Sequence, residues 1–565
     1  MAMSRLRLFW YVLATLLAVF VYFYGLDSQH IPKNGDEYPY EHITRLTAAS
    51  GHLLPLQSQM DTMRNTKPPL LFWQGIASTH WGQDWTLWQL RYPSVLYTLL
   101  TAALVFMLGW KLSRQLESGF IALLAYLAFF STYRYGRPFL INPAEVFWFF
   151  LPFFTLLYWR PVAFESRLWI PLLLGVEIGI GLLYKSFALV APVSLGLAWW
   201  YLHCRDYRLT VFLLRDSWKV AATVLLSLAI FGLWFALDPD PQAIWREFIV
   251  GENAGKFDPH GGSYWAKLLW GSSSVWSLLL GYPMNAGLLA FPVAAVFWVA
   301  FRRRSQLSEA EKMLWIWMGA LFLVFSIPSQ RSSRYLLEAM PGLAVLCALN
   351  WQRISRKAFV VSLIVAGGVL VLLAFLAVRL QDEMAGLYAP WFWLLLVLTA
   401  GLILLALFVA RVTRPVFNVA ALLVLLCFAA FVRPFDGVAG NYSAAVQQYA
   451  QGREVWVPCN FRAHDEGYRF ILPGAQIHGY QEDPNLTAAT LAARYQLFAV
   501  QVPLQEAGCD TCKILGQRLD IRSRQSDSET RELLNGKVMQ FLFVKELLVE
   551  SAGANPAAAN EEGCR

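Results

Sequence analysis

Long apolar runs separated by short polar hinges dominate the first three quarters of the chain. Thirteen such runs stand out, at 8–24, 87–110, 119–131, 139–158, 168–184, 187–201, 220–237, 275–301, 313–325, 335–349, 359–378, 391–409 and 416–431. Many reach about 17–25 residues, the length of a helix that crosses a bilayer. They are continuous and Leu-rich rather than alternating, which predicts helices and not the strands of a membrane barrel.

Beyond residue 431 the pattern changes. Polar and apolar residues mix, with strand-like runs at 454–457, 468–472 and 538–544 and a helical stretch at 486–495. These elements predict a small soluble α/β domain, and the Ala-, Asn- and Glu-rich tail from Ser551 reads as disordered. The expected organisation is a transmembrane domain over 1–432 of about 13 helices, with long outer loops at 25–86 and 238–274. An α/β domain over 433–550 and a tail over 551–565 follow. Loops this long in a compact domain are commonly functional.

Composition sharpens the class. The chain is 57% hydrophobic and 15% charged, with 24 Trp and 39 Phe, far more apolar surface than a soluble domain needs. The net charge of +8 comes from small clusters between the runs, such as Arg5/Arg7, Lys111/Arg114, Arg302-Arg303-Arg304 and Arg353/Arg356/Lys357. That placement marks cytoplasmic loops and argues against a nucleic-acid partner. With the N-terminus in the cytoplasm, all seven basic clusters fall on the cytoplasmic side, and an odd number of spans puts the C-terminal domain outside. No small-residue cleavage site follows the first run, so it reads as a retained helix rather than a signal peptide.

Cys204, Cys347 and Cys427 lie in or beside apolar runs and read as packing residues. Cys459, Cys509, Cys512 and Cys564 fall in the outer domain. The Cys509-Asp510-Thr511-Cys512 spacing favours a structural disulfide in an oxidising compartment over catalysis or a metal site, with pairing open.

Two elements of the first outer loop carry chemistry. Asp36-Glu37 lies about a dozen residues after the first run, and Lys67-Pro68-Pro69 follows in the same loop. A carboxylate can act as general base, and fixed positive charge can stabilise a phosphate leaving group. The bland reading of Asp36 is a helix-capping acid. The lysine precedes a helix start, where anions bind readily. No Gly-rich nucleotide loop occurs, so a lipid-phosphate donor would supply the energy.

The order Asp-Glu, Ala48-Ala49-Ser50-Gly51, Lys67-Pro68-Pro69-Leu70 and Arg91-Tyr92-Pro93-Ser94 resembles the lipid-carrier-dependent glycosyltransferases of the GT-C fold, notably the aminoarabinose lipid A transferases and the protein mannosyltransferase-like group. The likeness covers most of the first 350 residues. It implies Asp36 as general base with Glu37 second, and Lys67, Arg64, Lys185, Arg334 and Tyr335 around the donor phosphate. Glu252, Asn253, Lys256 and His260 would belong to a substrate loop. The chain departs from the pattern at Pro39, where an arginine is usual, at Thr66, where a metal-binding glutamate is common, and at Asn142, in place of a second carboxylate. No metal ligands are therefore assigned, although a divalent metal stays open as a cofactor.

The resemblance implies an inverting transfer from a polyprenyl (undecaprenyl) phosphate sugar to lipid A, another glycolipid or a protein, at the periplasmic face of the bacterial inner membrane. A transporter or flippase would concentrate charge near the bilayer midplane, whereas here Glu177 is the main charge inside a run. An O-antigen ligase or polymerase shares the donor type.

Overall fold

The computed structural model describes residues 3–31, 35–60, 63–253, 264–328, 331–437, 439–460, 462–483, 486–505, 512–521 and 538–552. Every one of the thirteen apolar runs carries a helix. Among the described residues, eight helices are long and apolar enough to cross a membrane: Arg5–Phe23, Leu87–Ser113, Phe187–Cys204, Ser217–Leu237, Val275–Arg302, Arg356–Glu383, Pro390–Phe408 and Ala410–Asp436. The other five runs give shorter helices, Leu116–Ala128, Asn142–Tyr158, Trp169–Leu182, Glu309–Phe325 and Met340–Asn350, the last continuing a 3-10 turn at Ser333–Ala339.

The helices sort by what they face. Ala410–Val432 runs through the interior and is buried along most of its length, while Ser217–Leu237 presents most of its apolar surface outward, as a lipid-facing helix must. The first helix is tied to its neighbours, since the Tyr22 hydroxyl donates to the Leu127 carbonyl at 2.9 Å. The Val275–Arg302 helix breaks at Gly287, whose φ of +60° suits only glycine without strain. A Cβ there would also collide with the Cβ of Phe130.

The first outer loop folds into two helices, Glu37–Ala49 and Leu70–Ser78. The second contains a helix at Pro241–Ile244 and a π-helical stretch at Trp245–Asn253. The loops are joined: Arg64 pairs with Asp240 at 2.9 Å, and Glu247 accepts from the Asn65 backbone and side-chain amides at 3.0 and 3.1 Å.

The C-terminal domain is a five-stranded sheet: β1 (Glu454–Cys459), β2 (Gln476–Gln481), β3 (Leu497–Val502), β4 (Lys513–Ile521) and β5 (Phe543–Glu550). Its order is β2-β1-β3-β5-β4. The β1 strand pairs parallel with β2 and β3, and β5 pairs antiparallel with β3 and β4. Two of the expected strands are corrected. Residues Tyr468–Ile471 form a helical turn, and the 538–544 run divides into a helix, Val538–Leu542, and the start of β5. Short apolar runs do not distinguish strand from helix by periodicity; here tertiary partners decide. The Tyr468 hydroxyl reaches inward to Glu546 at 2.6 Å, while Val538 and Phe543 join the apolar core of the membrane domain. Glu546 is fully buried and satisfied, accepting also from Tyr442 and from both Nε and Nη2 of Arg518.

Cys204, Cys347 and Cys427 are free thiols, while Cys459 and Cys512 are disulfide-bonded. Cys509, Cys564 and nearly all of the 551–565 tail lie outside the described residues.

Candidate active site

Asp36 and Glu37 sit at the start of the helix Glu37–Ala49, and the structure sends the two carboxylates in opposite directions. Asp36 occupies the N-cap position, yet its side chain makes no capping bond. Its Oδ2 is held by Arg334, and its side chain is 42% exposed. Glu37 is buried and receives a two-pronged pair from Arg91, with Nε and Nη2 each at 2.8 Å from its oxygens. The Phe139 backbone amide adds a third bond at 2.7 Å. Arg91 Nη1 in turn donates to the carbonyls of Leu26 and Ser28. Glu37 thus anchors the helix that starts at Asp36, and of the two carboxylates Asp36 is the exposed one.

Arg334 comes from the 3-10 turn Ser333–Ala339, fixed by the Ser332 cap and by Asn285, which donates to the Ser333 carbonyl at 2.8 Å. Its guanidinium lies over the Tyr135 ring and also donates twice to Asn142 Oδ1, at 2.7 and 3.2 Å. The Asn142 amide donates to Glu145 Oε2 at 3.0 Å, and Lys185 Nζ reaches that same oxygen at 3.1 Å. Glu338 hydrogen-bonds the Glu145 carboxyl as well. A continuous chain, Asp36–Arg334–Asn142–Glu145–Lys185, therefore joins four separate segments at one end of the bundle. A carboxylate at 142 would have met both Arg334 and Glu145; the amide can accept from one and donate to the other.

Lys185 follows the end of the helix Trp169–Leu182, and the Leu183 carbonyl accepts from the Leu70 amide at 3.2 Å. That bond brings the Lys67-Pro68-Pro69 turn beside the Lys185 segment. Lys67 Nζ donates to the Thr66 carbonyl at 2.8 Å. Arg64 is drawn to Asp240 instead, and Tyr335 stacks on Phe325 with ring centroids 5.2 Å apart. Of the expected substrate loop, Lys256 and His260 lie outside the described residues, and only the backbone of Glu252 and Asn253 is described, at the end of the π-helical stretch. Among the described residues no group of three or more His, Cys, Asp or Glu side chains is arranged to hold a metal.

The C-terminal domain grips the helix that carries Asp36. Buried Glu466 accepts from His42 Nδ1 at 2.7 Å, from Arg45 Nε at 3.0 Å and from Arg469 Nε at 2.9 Å. Burial would raise the Glu466 pKa, but the bonds from His42 and Arg45, with the Arg469 charge, hold it well below the usual carboxylate range. Glu41 behaves oppositely: burial, with Glu37 beside it, pushes its carboxyl well above that range.

Sequence reasoning missed Glu145, Glu338 and the His42–Glu466 latch. Lone acids inside apolar runs were the available signal for the first two; nothing in the sequence pairs His42 with a residue 424 positions away.

A partly exposed Asp–Arg pair is thus backed by a buried polar chain that runs to a lysine just past the end of an apolar helix. The chain is similar to lipid-carrier-dependent glycosyltransferases of the GT-C fold, and among its described residues eight helices are long and apolar enough to cross a membrane. The family described as dolichyl-phosphate-mannose-protein mannosyltransferase matches residues 9–245. The undecaprenyl phosphate-alpha-4-amino-4-deoxy-L-arabinose arabinosyl transferase 2 of Proteus mirabilis is 26% identical over 396 residues, 68% of this chain and 67% of that protein. The transferase 1 of the same description from Sodalis glossinidius is 28% identical, over 62% of this chain and 60% of its own length. The crystal structure of ArnT from Cupriavidus metallidurans bound to undecaprenyl phosphate shares the fold, with a TM-score of 0.61 at 18% identity over 97% of this chain and 99% of that one.

Proposed function

We propose that this protein transfers a sugar from undecaprenyl phosphate, or a closely related polyprenyl phosphate, to lipid A or another surface glycolipid at the periplasmic face. The observation that carries the reading is the Asp36–Arg334 pair and the polar chain behind it. In the proposed step an acceptor oxygen attacks the anomeric carbon as the bond from that carbon to the phosphate oxygen breaks. The donor leaves as polyprenyl phosphate, and inversion at the sugar follows from the single displacement. Asp36 takes the acceptor proton or, where the acceptor is already a phosphate anion, orients it through Arg334. Lys67 and Lys185 stabilise the departing phosphate, because preorganised cations gain strength in a water-poor site. Glu37 is a positioning residue in this scheme. The donor side offers cations and the Thr66 hydroxyl, so no step is assigned to a metal.

The orientation follows the basic clusters: N-terminus in the cytoplasm, both long loops and the C-terminal domain in the periplasm. The similarity to the aminoarabinose transferases favours lipid A over a protein acceptor, and the match to the mannosyltransferase family is what supports a protein acceptor as the alternative. Mass spectrometry of lipid A, surface glycans and envelope proteins, with and without the protein, decides the acceptor. A sugar missing only from lipid A supports the reading; one missing only from proteins overturns it.

A further inference from the structure

A cleft of about 340 Å3 opens between residues of the membrane domain and of the C-terminal domain. It adjoins the segment that the Glu37–Arg91 pair holds: the Leu26–Ser28 backbone that Arg91 binds continues into its wall at Asp27 and Gln29. The Leu87–Ser113 helix starts at it and the Ala410–Val432 helix ends at it, through Thr86–Leu87 and Arg433, so the cleft lies beside the ends of two long apolar helices.

Its lining has a definite chemistry. One wall is aromatic, with Trp85 and Phe470 stacked nearly parallel, 8° between ring planes. Three amide side chains, Gln29, Asn441 and Gln447, also line it; the Asn441 amide donates to the Asp436 carbonyl and the Gln447 amide to the Ile471 carbonyl at 3.0 Å, which leaves their side-chain oxygens to accept. The charged groups are balanced and already engaged. Arg433 holds Asp27 with two bonds of 3.0 Å, Asp436 accepts from the Gln29 backbone N–H at 3.0 Å, and Arg469 Nε is committed to Glu466. An arginine cluster built for phosphate would leave its cations facing the ligand without acids alongside. Amides, paired carboxylates and an aromatic face instead match a neutral saccharide, whose hydroxyls donate and accept while its C–H face lies on the rings.

We infer that this interdomain cleft is a saccharide-binding subsite that holds the glycan part of a glycolipid acceptor while another part of the same molecule reaches Asp36. The inference rests on the glycolipid-acceptor reading above, and it assigns to the C-terminal domain a direct part in choosing the acceptor. Because its lining is drawn from both domains, the His42–Glu466 latch also bears on the width of the subsite.

Saturation-transfer NMR on the full chain in detergent, with chitobiose, maltose and mannobiose as probes, tests it. At least one disaccharide should receive transfer from the wild type and equally from Asp36→Asn. The signal should fall about fivefold in Phe470→Leu, which removes a stacking face, and vanish in Gln29→Trp, which fills the cleft. Inorganic phosphate should not displace the sugar. Gln29→Ala combined with Gln447→Ala serves if Gln29→Trp does not fold, with the same loss expected. No transfer to any of the three sugars, transfer that persists in the cleft variants, or displacement by phosphate overturns the inference. Sugar transfer at the wild-type rate by Asp36→Asn would refute the catalytic reading instead and leave the cleft result standing.

Discussion

Arg334 bonds Asp36 across 298 positions of sequence and holds the acid away from the helix amides that its N-cap position would otherwise serve. A capping acid and a catalytic acid look identical in sequence. Here geometry separates them, because a carboxylate that declines its local cap in favour of a distant arginine is being placed for something other than helix stability.

The first expectation follows from that pair. Asp36→Asn keeps the size of the side chain and can still accept from Arg334, and no capping bond is lost. Turnover should drop roughly 10²–10⁴-fold, the usual contribution of a general base, with an unchanged melting midpoint. Activity of purified protein with a polyprenyl-phosphate sugar checks it; near-normal turnover would remove Asp36 from the chemistry.

Much of the membrane architecture was readable because bilayer thickness imposes one length scale on every span and lipid tolerates few errors of composition. Asp36 and Lys67 stood out from the chemistry of the first outer loop, whereas Lys185 and Arg334 came only with the ordered motifs of the resemblance, since each is individually an ordinary interface charge. What the sequence hid is long-range. Glu37 is adjacent to Asp36 and chemically equivalent in isolation, but Arg91 claims it. Glu145 reads as a stray acid at the head of an apolar run until Lys185, Asn142 and Glu338 converge on it. The strand assigned to 468–472 failed because Tyr468 answers to Glu546 in another strand rather than to its own neighbours.

Glu37 should show the opposite profile from Asp36. Removing one partner of a buried ion pair leaves an uncompensated charge, worth about 3–5 kcal/mol. Glu37→Gln should therefore lower the melting midpoint and the folded yield sharply, and Glu37→Leu with Arg91→Met should recover a large part of that loss. A stable Glu37→Gln variant with severely reduced turnover would instead make Glu37 part of the chemistry.

The two buried acids near the latch predict opposing pH dependences. Glu41 has a raised pKa, so the folded state holds a proton that the unfolded state has released, and its contribution to stability falls as pH rises above the ordinary carboxylate value of about 4.3. Glu466 has a lowered pKa, so the stability it contributes is present above about 4.3 and is lost as pH falls through its depressed folded value. Glu41→Gln should raise the melting midpoint at neutral pH and remove the decline on the alkaline side. Glu466→Gln should lower the midpoint at neutral pH, because Arg45 and Arg469 lose their shared carboxylate, and should weaken the acid dependence. Melting curves collected across the acid-to-neutral range read both. A Glu41→Gln variant less stable than wild type at neutral pH would show that the ionised acid is being used.

Lys67 tests the donor side. Its turn is bound to the Lys185 segment through Leu70 and Leu183, and its ammonium stands two residues before the Pro69 cap of the helix Leu70–Ser78. Loss of a fixed charge against a departing phosphate should cost about 3 kcal/mol. The donor phosphate is charged before cleavage as well as after it, so Lys67→Ala should weaken donor binding and turnover together rather than turnover alone. Lys67→Arg should restore part of both, since the charge survives while the geometry changes. Donor affinity and turnover measured on the purified variants separate this from a loop lysine that merely closes on the Thr66 carbonyl: in that case Lys67→Ala would shift stability slightly and leave both kinetic quantities where they were, and the phosphate would have to be assigned to Lys185.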